Sequence, residues 1–223
     1  MAGAARPLAV FFDLDGTLAD TAEDLAAPIH AMRAARGLPA MALETLRPHA
    51  SMGARGLILE GLGVSSDDPT FEPLRQEFLR RYEAAMLVHT RLFAGMPEVL
   101  DALDEAGIRW GVISNKFERY VRPILAGLGV LERSVCAVGG DTTAYSKPHP
   151  EPLLHGARIA AVEAQQCIYV GDDLRDIEAG HAASMRTIAA AYGFCGGEAS
   201  PRQWGADHVI AHPLELLHLL DLR

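Results

Sequence analysis

Residues 8–21, LAVFFDLDGTLADT, carry the pattern from which the rest of the chain is read. An apolar, β-prone run from Leu8 to Phe12 leads straight into Asp13. A second carboxylate follows at Asp15, and Gly16-Thr17 turns the chain toward a helix. Side chains alternate faces along a strand, so Asp13 and Asp15 are expected to project the same way from its carboxyl end. In an open α/β sheet that end is where ligands bind. Taken alone, the pair fits a solvated turn or a helix cap equally well, since Asp beside glycine commonly serves there.

The 223 residues suffice for a full core plus a substantial insertion. A net charge of -9 speaks against nucleic acid or an anionic membrane as partner, because both require a basic footprint. An anionic substrate would need locally concentrated positive charge. The N-terminal stretch MAGAARPLAV has no long apolar core, and no run approaches bilayer-spanning length, so a cytoplasmic protein is expected. Cys136, Cys167 and Cys195 are odd in number and widely spaced, which suits reduced thiols, and neither they nor the histidines show a zinc spacing.

The next convincing strand after the first is IRWGVIS, residues 108–114. An ordinary parallel crossover is far shorter than this gap, so something is inserted. Helical patterns over Glu23–Arg36, Leu43–Gly61 and Phe71–Val88, without strand signals between them, predict a helical cap at 19–91. Its connections are Leu18–Asp20 and Arg91–Gly95, and residues 1–18 and 92–223 form the core. From Met96 onward strands at 108–114, 135–139, 167–171, 186–191 and 207–211 alternate with helices, and a short helix closes the chain. That alternation predicts an α/β protein with a Rossmann-like, doubly wound parallel sheet.

Three later strand ends also carry chemistry. Strand 108–114 ends in Ser114-Asn115-Lys116, where a hydroxyl and backbone amides make an anion cradle, or merely a helix cap. Lys147 lies in SKPHP, between strand and helix; it and Lys116 are the only lysines, against eighteen arginines. Strand 167–171 runs into GDDLRD, whose Asp172 and Asp176 would share one helix face. Four strand ends converging on one sheet edge supply oxygen ligands without Cys or His, a set suited to Mg²⁺.

These residues resemble the haloacid dehalogenase superfamily. DLDGT at 13–17 is similar to its first motif, Ser114 to its second, Lys147 to its third and GDDLRD at 171–176 to its fourth. The helical insertion resembles the phosphoglycolate phosphatase branch. Within that branch RGLP at 36–39, LFAGMPE at 92–98, WGVISNK at 110–116 and WGADHVIAHPLEL at 204–216 are most similar to N-acetylmuramic acid 6-phosphate phosphatases of peptidoglycan recycling. Where the family usually has serine after the fourth-motif Gly-Asp, this chain has Asp173.

The resemblance implies a Mg²⁺-dependent phosphomonoesterase acting on a small phosphorylated metabolite, N-acetylmuramic acid 6-phosphate or 2-phosphoglycolate. Asp13 is expected as nucleophile and Asp15 as acid/base. Asp13, the Asp15 carbonyl, Asp172 and Asp176 are expected around the metal, and Ser114, Lys147, Thr17 and the Asn115 amide around the phosphoryl group. Each like-charge pair near 4 Å costs about 4 kcal/mol at an effective dielectric near 20, so Mg²⁺ and Lys147 must supply countercharge. In the cap, Arg55 is the candidate for gripping a substrate carboxylate or hydroxyls, with Lys116 as a second candidate at the core–cap boundary; Arg55 equally fits a plain surface residue. Tyr192 and Trp204 are assigned to packing. A monomer or weak homodimer is expected. A sugar phosphomutase using the same aspartyl-phosphate, and a non-enzymatic receiver-like domain phosphorylated on Asp13, are the competing readings.

Overall fold

The computed structural model describes residues 6–197 and 199–222, so the first five residues of the stretch read as lacking a leader lie outside the described residues. Strand β1 (Ala9–Phe12) is buried at every position, as a strand covered on both faces must be. It runs parallel to β4 (Arg109–Ile113) on one side and to β6 (Cys167–Gly171) on the other. With β5 (Ala137–Val138), β7 (Arg186–Ala190) and β8 (His208–Ile210) they form a six-stranded parallel sheet in the order β5-β4-β1-β6-β7-β8. Chain order reverses at β1, where open α/β sheets bind their ligands. Phe12 pairs with both Val112 and Val170, so the three central strands stop nearly level and release Asp13, Ser114 and Asp172 at one edge.

Alternation along the strands divides the core. Val10, Phe12, Trp110, Val112, Ile168 and Val170 pack under α5 (Met96–Glu105), α6 (Glu118–Gly127) and α9 (Glu215–Leu219). Ala9, Phe11, Ile113 and Tyr169 face the opposite way, toward α7 (Glu151–Ala160) and α8 (Leu174–Ala182). Trp204 is buried and donates to the Ala199 carbonyl, and Tyr192 meets Phe93 edge-on; both are packing residues. Among the described residues no helix is long and apolar enough to cross a membrane.

The insertion begins after β2 (Ala19–Asp20) and ends at β3 (Arg91–Leu92). It contains α1 (Ala22–Ala34), α2 (Leu43–Leu46), a 3-10 segment at Arg47–Met52, α3 (Gly53–Leu62) and α4 (Phe71–Ala84). Ile29, Met32, Leu57, Ile58 and Phe78 make a core of their own, which Tyr120 and Phe194 join from outside the insertion. Two features differ from the sequence expectation. β2 and β3 pair antiparallel, and two-residue strands are too short to leave a periodic signal. The segment expected as one helix over 43–61 is broken by the 3-10 turn containing Pro48, which cannot donate to the helical ladder.

Asp24 ties the return of the insertion to its start. Buried on α1, its carboxylate accepts from the backbone N–H groups of Val88, His89 and Thr90 at 2.8–3.0 Å and from the Thr90 hydroxyl at 2.7 Å. Asp24→Ala strands those donors and is expected to cost about 2–3 kcal/mol in urea unfolding. A loss under about 0.5 kcal/mol, the range of an ordinary surface change, would refute this role.

Candidate active site

The first turn of the site follows β1 directly. The Asp13 N–H donates to the Val170 carbonyl at 2.9 Å, extending the sheet by one residue, after which the chain leaves strand geometry. Gly16 has φ +83°, and a Cβ there would overlap the Asp172 carboxylate, so glycine is required for conformation and for space. Asp13 and Asp15 therefore reach the same cavity through this turn, not through strand alternation as the sequence suggested. The cavity has a volume of about 260 Å³ and is lined by Asp13, Asp15, Ser51, Ser114, Asn115, Lys116, Lys147, Arg175 and Asp176, among others.

Lys147 is the hub. Its side chain is 2% exposed, and Nζ lies 3.1 Å from Asp13 Oδ1 and 2.7 Å from Asp176 Oδ1. The same ammonium donates to the Tyr169 hydroxyl at 2.9 Å, and that hydroxyl donates to the Ile113 carbonyl at 2.6 Å. Asn115 clamps the lysine backbone: its Nδ2 donates to the Lys147 carbonyl and its Oδ1 accepts from the Lys147 N–H, both at 2.9 Å. Asp13 Oδ1 also accepts from the Leu14 N–H at 2.7 Å. Ser114 is buried, and its Oγ accepts from the Lys116 N–H at 3.3 Å.

The fourth-motif carboxylates are held by the fold itself. Asp172 is fully buried; Oδ1 accepts from the Thr17 hydroxyl at 2.8 Å and Oδ2 from the Phe194 N–H at 2.9 Å. Asp176 closes a capping box at the start of α8, accepting from the Asp173 N–H at 3.1 Å while Asp173 accepts from the Arg175 N–H at 3.0 Å. One carboxylate oxygen from each of Asp13, Asp172 and Asp176 lies within 4.8 Å of the others. At that separation each pair of charges repels by about 3–4 kcal/mol at an effective dielectric near 20.

The ionisation of these groups registers the crowding. Burial, and then the charges of Asp13 and Asp176, push the Asp172 carboxyl far above the usual carboxylate range. Burial raises Asp176 to about 6, with Lys147 opposing the rise and Asp13 adding to it. Burial alone would lower the Lys147 pKa, but the Asp13 and Asp176 charges more than reverse this and leave it above its ordinary value. Two buried carboxylates and a half-buried third, Asp13, against one ammonium form an oxygen donor set short of positive charge. A hard divalent cation such as Mg²⁺ fits both the donor chemistry and the charge deficit.

A pH effect with a definite sign follows. A carboxyl whose pKa is higher folded than unfolded binds its proton more tightly in the native state. Its stabilisation is therefore full below the unfolded value of about 3.9 and lost as pH rises through the folded value. For Asp176 that loss extends to about pH 6. Divalent metal relieves the same repulsion, so adding Mg²⁺ to chelator-treated protein is expected to raise the thermal midpoint more at pH 7.5 than at pH 5. Equal shifts at both pH values would contradict this electrostatic account.

Asp15 has different partners from Asp13. Its carboxylate accepts from the Thr21 hydroxyl at 2.6 Å and forms an ion pair with Lys116 Nζ at 2.9 Å. Lys116 also stands 4.8 Å from the centre of the Tyr82 ring. Both lysines of the chain thus hold first-motif carboxylates. One sequence expectation is corrected, that for Thr17. The Thr17 side chain is fully buried, does not line the cavity, and holds Asp172, so the expected phosphoryl contact is absent from it. Asn115 uses its side-chain amide on Lys147. Asp15 is outside the group of carboxylates that share a potential ion, consistent only with a contribution from its carbonyl. Arg55 lies away from the acids, lining an adjoining cleft.

Sequence reasoning also missed residues. Arg175 lines the cavity; Asp173 holds its guanidinium at 2.8 Å, and its Nη2 donates to the Ser51 carbonyl of the insertion at 2.9 Å. The Asp that replaces the family's usual serine is what aims this arginine, and Asp-x-Arg at a helix start was its available signal. Tyr169 left no signal, being one aromatic in an apolar strand. Gly193, where a Cβ would overlap both Asp172 and the Gly16 carbonyl, is likewise evident only from packing.

The sequence model of the haloacid dehalogenase-like hydrolases matches residues 10–190. An N-acetylmuramic acid 6-phosphate phosphatase of Pseudomonas aeruginosa is 46% identical over 97% of this chain and 96% of its own length. A phosphoglycolate phosphatase of Xanthomonas campestris is 44% identical over 94% of this chain and 95% of its own. Among solved structures, a predicted phosphoglycolate phosphatase from Haemophilus somnus superimposes with a TM-score of 0.84 at 25% identity, covering 97% of this chain and 99% of that one.

Proposed function

The chain belongs to the haloacid dehalogenase-like hydrolase family, and from that premise we propose that it is a phosphatase that cleaves small phosphate monoesters in the cytoplasm, with Asp13 as nucleophile. The observation that carries the reading is the position of Lys147 Nζ, 3.1 Å from Asp13 and 2.7 Å from Asp176, at the point where three parallel strands stop together. Core (1–18 and 92–223) and helical cap (19–91) divide the labour: the first holds the chemistry, the second contributes the wall over it.

In this reading Asp13 attacks phosphorus, the bond to the alcohol oxygen breaks, and Asp15 gives that oxygen its proton. A water then attacks the phosphoryl group on Asp13, losing its proton to Asp15, and the bond to Asp13 breaks. Lys147 and Ser114 hold phosphoryl oxygens, and Asp13, Asp172, Asp176 and the Asp15 carbonyl are the groups that hold Mg²⁺. When bound, the metal neutralises carboxylate and phosphate charge and so lets the dianion enter. Asp15 cannot act as an acid while it stays paired as a carboxylate with Lys116. The entering phosphate offers that ammonium a second anion, which frees Asp15 to take up its proton.

The identity of the leaving alcohol rests on the relatives, which favour N-acetylmuramic acid 6-phosphate ahead of 2-phosphoglycolate. Inorganic phosphate release from both esters is the test. Release is expected with Mg²⁺, to fall more than about 100-fold in excess chelator, and to return with Mg²⁺. Metal-independent turnover would defeat the proposal, and formation of an isomeric sugar phosphate without free phosphate would replace it with a mutase.

A further inference from the structure

Arg175 stands in the first turn of α8, where the helix dipole favours an anion and disfavours a cation. Its guanidinium is nonetheless held there side-on by Asp173: Nε meets Oδ1 and Nη2 meets Oδ2, both at 2.8 Å. Two parallel bonds to one carboxylate fix the plane of the guanidinium. From that plane Nη2 also donates to the Ser51 carbonyl at 2.9 Å, 124 residues away in the chain. Ser51 leads into Met52 and Gly53, and all three line the catalytic cavity together with Asp13 and Asp15. The same 3-10 segment of the insertion rests on the core at two further points. The Arg47 guanidinium lies over the Phe194 ring at 5.5 Å, and the Pro48 carbonyl lies over Gly196, where a Cβ would overlap it.

We propose, on the phosphatase reading given above, that Asp173 and Arg175 are a positioning pair for the reaction: a strut from α8 that sets where residues 51–53 stand over the phosphoryl site. Charge favours a strut over a phosphate ligand. The two side chains sum to zero, so the pair adds no countercharge to a cavity already short of it, and Nε and Nη2 are both taken by Asp173. Serine at 173 could cap α8 as well as aspartate does. What aspartate adds is the second oxygen, the one that meets Nη2 and turns it toward Ser51. Lys147 and Ser114, which hold phosphoryl oxygens in that reading, belong to the core. The pair therefore acts on the wall that meets the alcohol part of the ester, and not on the phosphoryl group.

A double variant, Asp173→Ser with Arg175→Met, removes the strut, keeps a capping side chain on α8 and leaves the net charge unchanged. With the better of the two esters named above, its KM is expected to rise about 5–30-fold while kcat stays within about threefold of wild type. Inhibition by inorganic phosphate, which has no alcohol to meet the wall, is expected to stay within about threefold as well. The single variants should move phosphate inhibition in opposite directions: tighter for Asp173→Ser, which frees a cation beside the site, and weaker for Arg175→Met, which frees an anion. Arg175→Lys keeps the charge without the fork, and a smaller rise in KM is expected from it. A double variant with wild-type KM, or one whose phosphate inhibition weakens as much as its KM rises, overturns the inference and leaves the phosphatase reading intact. Should the double variant fail to fold, a wild-type KM in Arg175→Lys overturns it equally. Wild-type protein that releases phosphate from neither ester sinks the phosphatase reading and the inference together.

Discussion

Asp13→Asn is expected to lower kcat by about 10⁴-fold or more on every phosphate ester, the scale seen when a nucleophile is removed while its surroundings persist. The amide nearly matches the carboxylate in shape, so its oxygen can still accept from the Leu14 N–H, now 2.7 Å from Oδ1. What is lost is the charge that attacks phosphorus. The substitution also removes one of three mutually repelling acids, leaving Asp172 and Asp176 as the only members of the cluster. Metal-free stability is therefore expected to stay within about 1 kcal/mol of wild type, because relief of repulsion offsets the weaker contact with Lys147. Phosphate release and urea unfolding on the same preparation separate the two effects. A kcat within tenfold of wild type would remove Asp13 as nucleophile.

Lys147→Met is expected to be damaging in two ways at once. It removes the ammonium that meets Asp13 at 3.1 Å and Asp176 at 2.7 Å, and both of these charges then lie beside Asp172 without a cation. Breaking a buried ion pair from one side costs about 3–5 kcal/mol, because the remaining charge is left without compensation. Activity is expected to fall by about 10³-fold or more as phosphate and carboxylates lose their shared countercharge. The sign of the pH dependence follows from Asp176, which burial already raises to about 6 and Lys147 holds down. Without the lysine its pKa rises further and protonation relieves the repulsion, so the stability deficit in chelator should be larger at pH 7.5 than at pH 5. Lys147→Arg should not rescue, since a planar guanidinium cannot occupy a slot where the lysine is 2% exposed. A deficit below about 1 kcal/mol at pH 7.5 would refute the hub role.

Legibility differed from residue to residue for physical reasons. Asp13 and Asp172 directly follow strands, Lys147 lies in the loop after one and Asp176 in the first turn of the helix after another, and parallel topology brings these segments to one edge. The partners of those groups were not legible. Lys116 was read as a substrate contact, and its ion pair with Asp15 was not foreseen. Thr17 was read as facing phosphate and holds Asp172. Both partners escaped for one reason: a motif tells which residues stand near a site, whereas the direction of a side chain depends on neighbours far away in the chain. Arg175, Tyr169 and Gly193 escaped notice for the same reason.

By itself the sequence determined the parallel α/β core and the set of acids and lysines at the strand ends, and it predicted helices between β1 and β4. These follow from hydrophobic periodicity and chain connectivity, which are local or nearly so. Only the tertiary structure decided that Lys147 lies between Asp13 and Asp176, that Lys116 is held by Asp15, and that Arg55 lines a cleft beside the acids. Those are contacts across 29 to 134 residues of chain or more than one element, set by how faces pack together, and no periodicity within one segment encodes them.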